Sequence, residues 1–226
     1  MTLKNIFFDF DGTLANSELG IRKSVDFALQ EVGLSKLQTR DQYKAFIGPP
    51  FLSGLDKFYP SIPTDIRISA DLLYHDFYFN HEIYELEFYP KILEEIQKLR
   101  IHHYDLYIAS AKANNALNKI LEHFNLAEYF IAIFGNDYPK RRLATKADII
   151  REAISEMHLN AHECLMVGDR LSDIEGGKKN SVFTMAVTYG FGSIDELKNS
   201  QADVCVRNPN NIYEEITSFN CLLRGN

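Results

Sequence analysis

Two aspartates stand two residues apart at the end of a short apolar run, in Asp9-Phe10-Asp11-Gly12-Thr13-Leu14. Alternate residues of an extended strand share a face, so the two carboxylates lie on one side if strand geometry persists. Gly12 lets the chain turn tightly behind them. A second acidic pair follows another apolar run, in Met166-Val167-Gly168-Asp169-Arg170-Leu171-Ser172-Asp173. Asp169 ends a strand there, and Asp173 falls at the start of a helix. Asp173 alone would complement the helix dipole, but that reading is poor for Asp169, which follows Gly168 directly. Two further groups occupy comparable places. Ser110, in Ile108-Ala109-Ser110-Ala111-Lys112, closes a strand. It either caps a helix or stands beside opening amides that hold an anion. Lys146, in Ala144-Thr145-Lys146-Ala147-Asp148, sits at a helix start where the dipole disfavours a cation, with Arg141 and Arg142 close by in sequence.

Gathered at one edge, so many acids repel one another unless a hard cation binds them. An oxygen-only ligand set suits Mg²⁺, which also favours phosphate-bearing substrates. The histidines, at 75, 81, 102, 103, 123, 158 and 162, are scattered with no H-x-x-x-H pair, so a zinc site is not expected.

The elements that must position these groups alternate. Leu3 to Phe10 is predicted as a buried strand. After residue 88 the pattern predicts helix Lys91 to His102, strand Asp105 to Ala109, helix Asn114 to Phe124 and strand Tyr129 to Phe134. Helix Lys146 to Met157, strand Glu163 to Val167, helix Leu171 to Asn180 and strand Val182 to Val187 follow. Strand Asp203 to Val206 and helix Asn211 to Phe219 close the chain. Repeated strand, helix, strand with short connections implies an α/β fold, a Rossmann-like parallel sheet covered by helices. Ligands of such sheets sit at the carboxyl ends of the strands. Residues 16–87 interrupt the pattern with helices at Asn16 to Gly33, Thr39 to Phe46, Phe51 to Phe58 and Thr64 to His81, and no convincing strand. We therefore expect a core of residues 1–15 and 88–226 with an inserted all-helical cap domain of residues 16–87.

Composition narrows the functional classes. The 226 residues are 46% apolar and carry a formal charge of -7, which suits a folded globular protein and argues against a nucleic-acid partner. Three widely spaced cysteines make no disulfide framework, and a reducing compartment is expected. Neither a signal peptide nor a membrane span is read, so the expected location is cytoplasmic, with no membrane partner. The oligomeric state is not legible. The abundant Phe and Tyr, following no repeat, are expected to pack the core and the cap.

DFDGTLANS, IASAK, Lys146 and GDRLSD, in that order, resemble the four motifs of the haloacid dehalogenase superfamily. The helical insert after the first motif, with FIGPP (Phe46 to Pro50) and VTYGFGSIDEL (Val187 to Leu197), is similar to its phosphoglycolate-phosphatase-like branch. The likeness covers nearly the whole chain. The resemblance implies a Mg²⁺-dependent phosphatase of a small phosphorylated metabolite, with phosphoglycolate, a 5′-nucleotide, pyrophosphate and a sugar phosphate all open as substrates. It makes Asp9 the nucleophile that becomes an aspartyl-phosphate and Asp11 the general acid and base. Ser110, the Ala111 amide and Lys146 would hold the phosphoryl group. Asp9, the Asp11 carbonyl and Asp169 would hold Mg²⁺, with Asp173 acting directly or through water, and Gly48 and Pro49 would touch the leaving group. Two departures stand out: residues 135–145 (GNDYPKRRLAT) are unusually basic, read as a solvated loop, and Ala111 replaces a common Ser. A phosphosugar mutase with the same core, or a regulatory phosphate-binding protein without turnover, are the alternative readings.

Overall fold

The computed structural model describes residues 2–140 and 145–225; Arg141 and Arg142, noted above beside Lys146, lie outside them. The chain separates into two compact units. One joins the residues up to Ala15 with those from Phe88 onward, and the other is Asn16–Glu87.

The first unit is built on six parallel strands: β1 (Asn5–Phe8), β2 (Asp105–Ala113), β3 (Ala132–Asn136), β4 (Cys164–Gly168), β5 (Phe183–Val187) and β6 (Val204–Val206). Their order is β3-β2-β1-β4-β5-β6. This is a Rossmann-like sheet whose order reverses between β1 and β4, the place where such sheets bind ligands at the carboxyl edge. The α/β expectation is borne out. Ile6, Phe7 and Phe8 are wholly buried, which explains why β1 reads as an unbroken apolar run: helices cover both faces of the sheet.

On one face, Phe7, Tyr107, Ala109, Phe134, Cys164 and Met166 pack against Ile149, Ile150 and Ala153 of the Lys146–Glu156 helix. That helix opens with a reciprocal cap. The Asp148 amide donates to Thr145 Oγ1 at 3.2 Å, and the Thr145 amide donates to Asp148 Oδ2 at 3.1 Å. Apolar packing below and a cap above thus fix where the helix begins, and Lys146 is its first residue.

Several elements differ from the sequence reading. The strand expected to stop at Ala109 runs on to Ala113, and the next helix begins only at Asn114. Its N-cap position is Ala113, without a side-chain bond, so Ser110 caps nothing. The strand expected from Tyr129 begins at Ala132, because Ala127–Tyr129 forms a 3₁₀ turn. A helix at Ile194–Asn199 was not foreseen, although Ser193 and Glu196 form a capping box there.

The Asn16–Glu87 unit contains helices Glu18–Glu31, Arg40–Tyr43, Phe51–Phe58 and Thr64–Phe77. The helix expected to reach His81 ends at Phe77 and passes into a π-turn over Tyr78–Glu82. Aromatic rings hold the unit together: Phe27 stacks on Phe77 at 4.1 Å and Phe51 on Tyr74 at 4.3 Å. Gly54 is required by packing, because a β-carbon there would come within 2.4 Å of the Phe46 ring. Among the described residues, no helix of the chain is long and apolar enough to cross a membrane.

Ile150 is wholly buried between helix and sheet. Ile150→Ala should therefore cost about 2–5 kcal/mol of unfolding free energy, read from urea denaturation. A cost near zero would contradict the packing described here.

Candidate active site

Strand register assembles the site. Phe8 of β1 is level with Ile108 of β2 and with Val167 of β4. The residues that follow, Asp9, Ala109–Ser110 and Gly168–Asp169, therefore stand at one height along the sheet. The Asp9 amide continues the ladder by donating to Val167 O at 2.9 Å. Asp9, Asp169 and Asp173 each present a carboxylate oxygen, and these oxygens lie within 4.8 Å of one another. All three side chains are buried. Lys146 enters the same space: its Nζ is 2.7 Å from Asp9 Oδ1 and 2.9 Å from Asp173 Oδ1, and it donates to Ala109 O at 2.8 Å. Three donors meet three acceptors, which explains a cation at a helix start.

Backbone groups fix the acids. Asp173 Oδ2 accepts from the Arg170 amide at 2.9 Å, and Asp169 Oδ2 accepts from the Phe191 amide at 2.7 Å. The Tyr189 hydroxyl donates to Thr13 O at 2.9 Å, tying the loop after β5 to the turn after Asp11. Gly12, at φ +86°, is needed twice over. Its backbone is left-handed, and a β-carbon would lie 2.2 Å from Asp169 Oδ2.

Electrostatics follow from burial. Desolvation, then the charges of Asp173 and Asp9, push the Asp169 carboxyl well above the ordinary value. Desolvation also dominates at Asp173, raising it to about 6 against the pull of Lys146. At Lys146, burial works to lower the ammonium, but the charges of Asp173 and Asp9 outweigh it and the group stays above its usual value. Asp169 Oδ1 is buried with no hydrogen-bond partner among the described residues. An orphaned carboxylate oxygen inside a trio of acids is the donor set of a hard divalent cation, so the residues present fit Mg²⁺.

The structure thus brings together Asp9, Asp169, Asp173 and Lys146. The Asp11 carboxylate lies outside the trio and pairs with Lys112, 3.1 Å from Nζ to Oδ2. Ser110 is buried, and its Oγ accepts from the Lys112 amide at 3.3 Å. Ala111 stands next to it, half-buried, inside the extended strand rather than at a helix opening. Gly48 and Pro49 belong to the inserted unit, in the turn ahead of the Phe51–Phe58 helix, with Gly48 at φ +92°. Sequence reasoning missed Lys112, Tyr189 and the Phe191 amide as parts of the site. VTYGFGSIDEL was legible as a family stretch, but its grip on Asp169 depends on folding.

Residues 6–187 match the family model of the haloacid dehalogenase-like hydrolases. The chain belongs to that family. It is an enzyme of the phosphatase kind, a phosphoric monoester hydrolase. This hydrolase is 34% identical over 197 residues to a 5′-nucleotidase of Pseudomonas aeruginosa, covering 87% of this chain and 88% of the other. It is 28% identical over 211 residues to a phosphoglycolate phosphatase of Vibrio parahaemolyticus, covering 89% and 90%. Its fold matches the crystal structure of a predicted phosphatase from Clostridium acetobutylicum with a TM-score of 0.90 at 32% identity, over 96% of this chain and all of that one.

The raised acids give the hydrolase a pH signature. An acid whose value is raised in the fold contributes stability that is present below its unfolded value and lost as pH rises through its folded one. For Asp173 that window runs from the ordinary 3.8 to about 6. In EDTA, the melting temperature should fall between about pH 4 and about pH 6. Added Mg²⁺ should raise it more at about pH 7.5 than at about pH 5, because protons compete for the same oxygens. A Mg²⁺ shift equal at both pH values would contradict this account.

Proposed function

We propose that the hydrolase is Mg²⁺-dependent and cleaves a small phosphorylated metabolite in two displacements, with Asp9 transiently phosphorylated. The observation that carries this reading is the ammonium of Lys146 between Asp9 and Asp173, beside a third buried acid, Asp169. Asp9 follows β1 directly and is anchored by its own amide, so its carboxylate has little freedom to lose on attack. Forming a phosphoryl-enzyme and then hydrolysing it divides one hard step into two easier ones.

Asp11 gives its proton to the leaving oxygen in the first displacement and takes one from water in the second. Ser110 Oγ and the Ala111 amide serve as donors to the transferring group, and Lys146 exchanges one of its three partners to join them. Asp9, the Asp11 carbonyl, Asp169 and Asp173 would hold Mg²⁺, which when bound supplies positive charge against the phosphate dianion. Gly48 and Pro49 are assigned to the leaving group. The relatives' names support a phosphoglycolate-like substrate or a 5′-nucleotide, the latter with the higher identity; a sugar phosphate belongs to the same class.

The test is phosphate release from a panel of 5′-nucleotides, phosphoglycolate and sugar phosphates, with Mg²⁺ and with EDTA. Turnover should require Mg²⁺, and Asp9→Asn should lower kcat at least about 10³-fold with the fold retained by circular dichroism. Undiminished turnover in that variant would remove Asp9 as the nucleophile.

A further inference from the structure

Lys112 has no task in the reaction above, yet its ammonium is buried at the same sheet edge. Its side chain and that of Asp11 are each 6% exposed, and Nζ lies 3.1 Å from Asp11 Oδ2. An ion pair this far from water is a poor source of stability, because desolvating both charges offsets most of their attraction. The local backbone is also unusual. Ala109 of β2 is level with Phe134 of β3, while Ala113 is level with Asn136. Four steps along β2 therefore meet two along β3, and Ser110, Ala111 and Lys112 occupy the irregular stretch. Bulges of this kind re-aim side chains and recur beside active sites. Here the bulge turns the Lys112 amide onto Ser110 Oγ at 3.3 Å and its ammonium onto Asp11. The ammonium also lies 6.0 Å from the centroid of the Phe10 ring, between the two proposed catalytic acids in sequence.

We propose that Lys112 is a positioning residue for Asp11, holding its carboxyl group through Oδ2 in the orientation that proton transfer requires. In the first displacement, the bond from phosphorus to the leaving oxygen breaks as the bond to Asp9 forms, and the Asp11 proton passes to the leaving oxygen. In the second, the water oxygen bonds to phosphorus as the bond from phosphorus to Asp9 breaks, and Asp11 takes the proton that the water gives up. Lys112 stays protonated throughout and touches no reacting atom. This assignment rests on the reading of Asp11 as the general acid and base. It also gives the Ser110-Ala111-Lys112 bulge a double use, because one distortion orders a phosphoryl donor and the acid.

The test compares two phosphate esters with Mg²⁺ present. β-Glycerophosphate has a poor leaving group that needs a proton; p-nitrophenyl phosphate has a good one that does not. The measured quantity is kcat/KM, which reports steps up to leaving-group release. In K112M, which keeps most of the apolar stem, β-glycerophosphate cleavage should fall about 10- to 100-fold, and p-nitrophenyl phosphate cleavage at least several-fold less. K112R should recover most of the loss, and K112M should add little to D11N. Equal losses on both esters in K112M, while D11N retains its leaving-group dependence, would overturn the positioning role alone. Equal losses on both esters in D11N would overturn the reading of Asp11, and this proposal with it. Thermal unfolding of each variant shows whether a uniform loss is misfolding, and an equal loss in a folded K112M counts against the proposal.

Discussion

Three buried carboxylates held within 4.8 Å of one another are the constraint around which this protein is organised. Each pair of unit charges at about 4 Å repels by about 4 kcal/mol at an effective dielectric near 20. Three negative charges and the one positive charge of Lys146 leave a deficit of two. Burial and the neighbouring charges raise the Asp169 and Asp173 carboxyls, so protonation eases that deficit as pH falls. A divalent cation meets it with one ion. The proposed reaction then uses the same balance, since an anionic nucleophile approaches an anionic phosphate only where positive charge is already concentrated.

The rest of the fold supplies rigidity against that repulsion. Parallel pairing of β1 with β2 and β4 sets Asp9 and Asp169 at one height. The buried face of the Lys146–Glu156 helix, sealed by Ile149, Ile150 and Ala153, delivers the ammonium. Glycines let the parts approach: a β-carbon on Gly168 would lie 2.3 Å from the Asp173 carboxyl, and one on Gly190 would lie 2.3 Å from Gly12 O. Stability placed in the sheet and helices is thus spent holding like charges together, the usual exchange at functional sites.

Much of this could be read from the residues. The alternation of apolar runs and amphipathic stretches predicts the parallel sheet, and acids placed directly after strands predict a metal-binding edge. Asp9, Asp169, Asp173 and Lys146 lie together at that edge. What remained hidden depends on register. Lys112 and Asp11 meet because β2 lies beside β1 and bulges after Ala109; no local pattern encodes a pairing that distant. The Phe191 amide carries no side-chain signal at all. The extension of β2 to Ala113 was missed because Ser-Ala-Lys-Ala reads equally well as a helix opening. The Ile194–Asn199 helix was legible through Ser193 and Glu196 but too short to show a periodic apolar face.

The central claim is that this balanced cluster allows Asp9 to accept a phosphoryl group. Peptide mass spectrometry of the protein, quenched in acid during steady-state turnover with Mg²⁺, tests it most directly. The account predicts one added phosphoryl group on the peptide containing Asp9, located to Asp9 by fragmentation and absent when EDTA replaces Mg²⁺. A phosphoryl group on any other residue, or continued phosphate release with Asp9 never labelled, would contradict it.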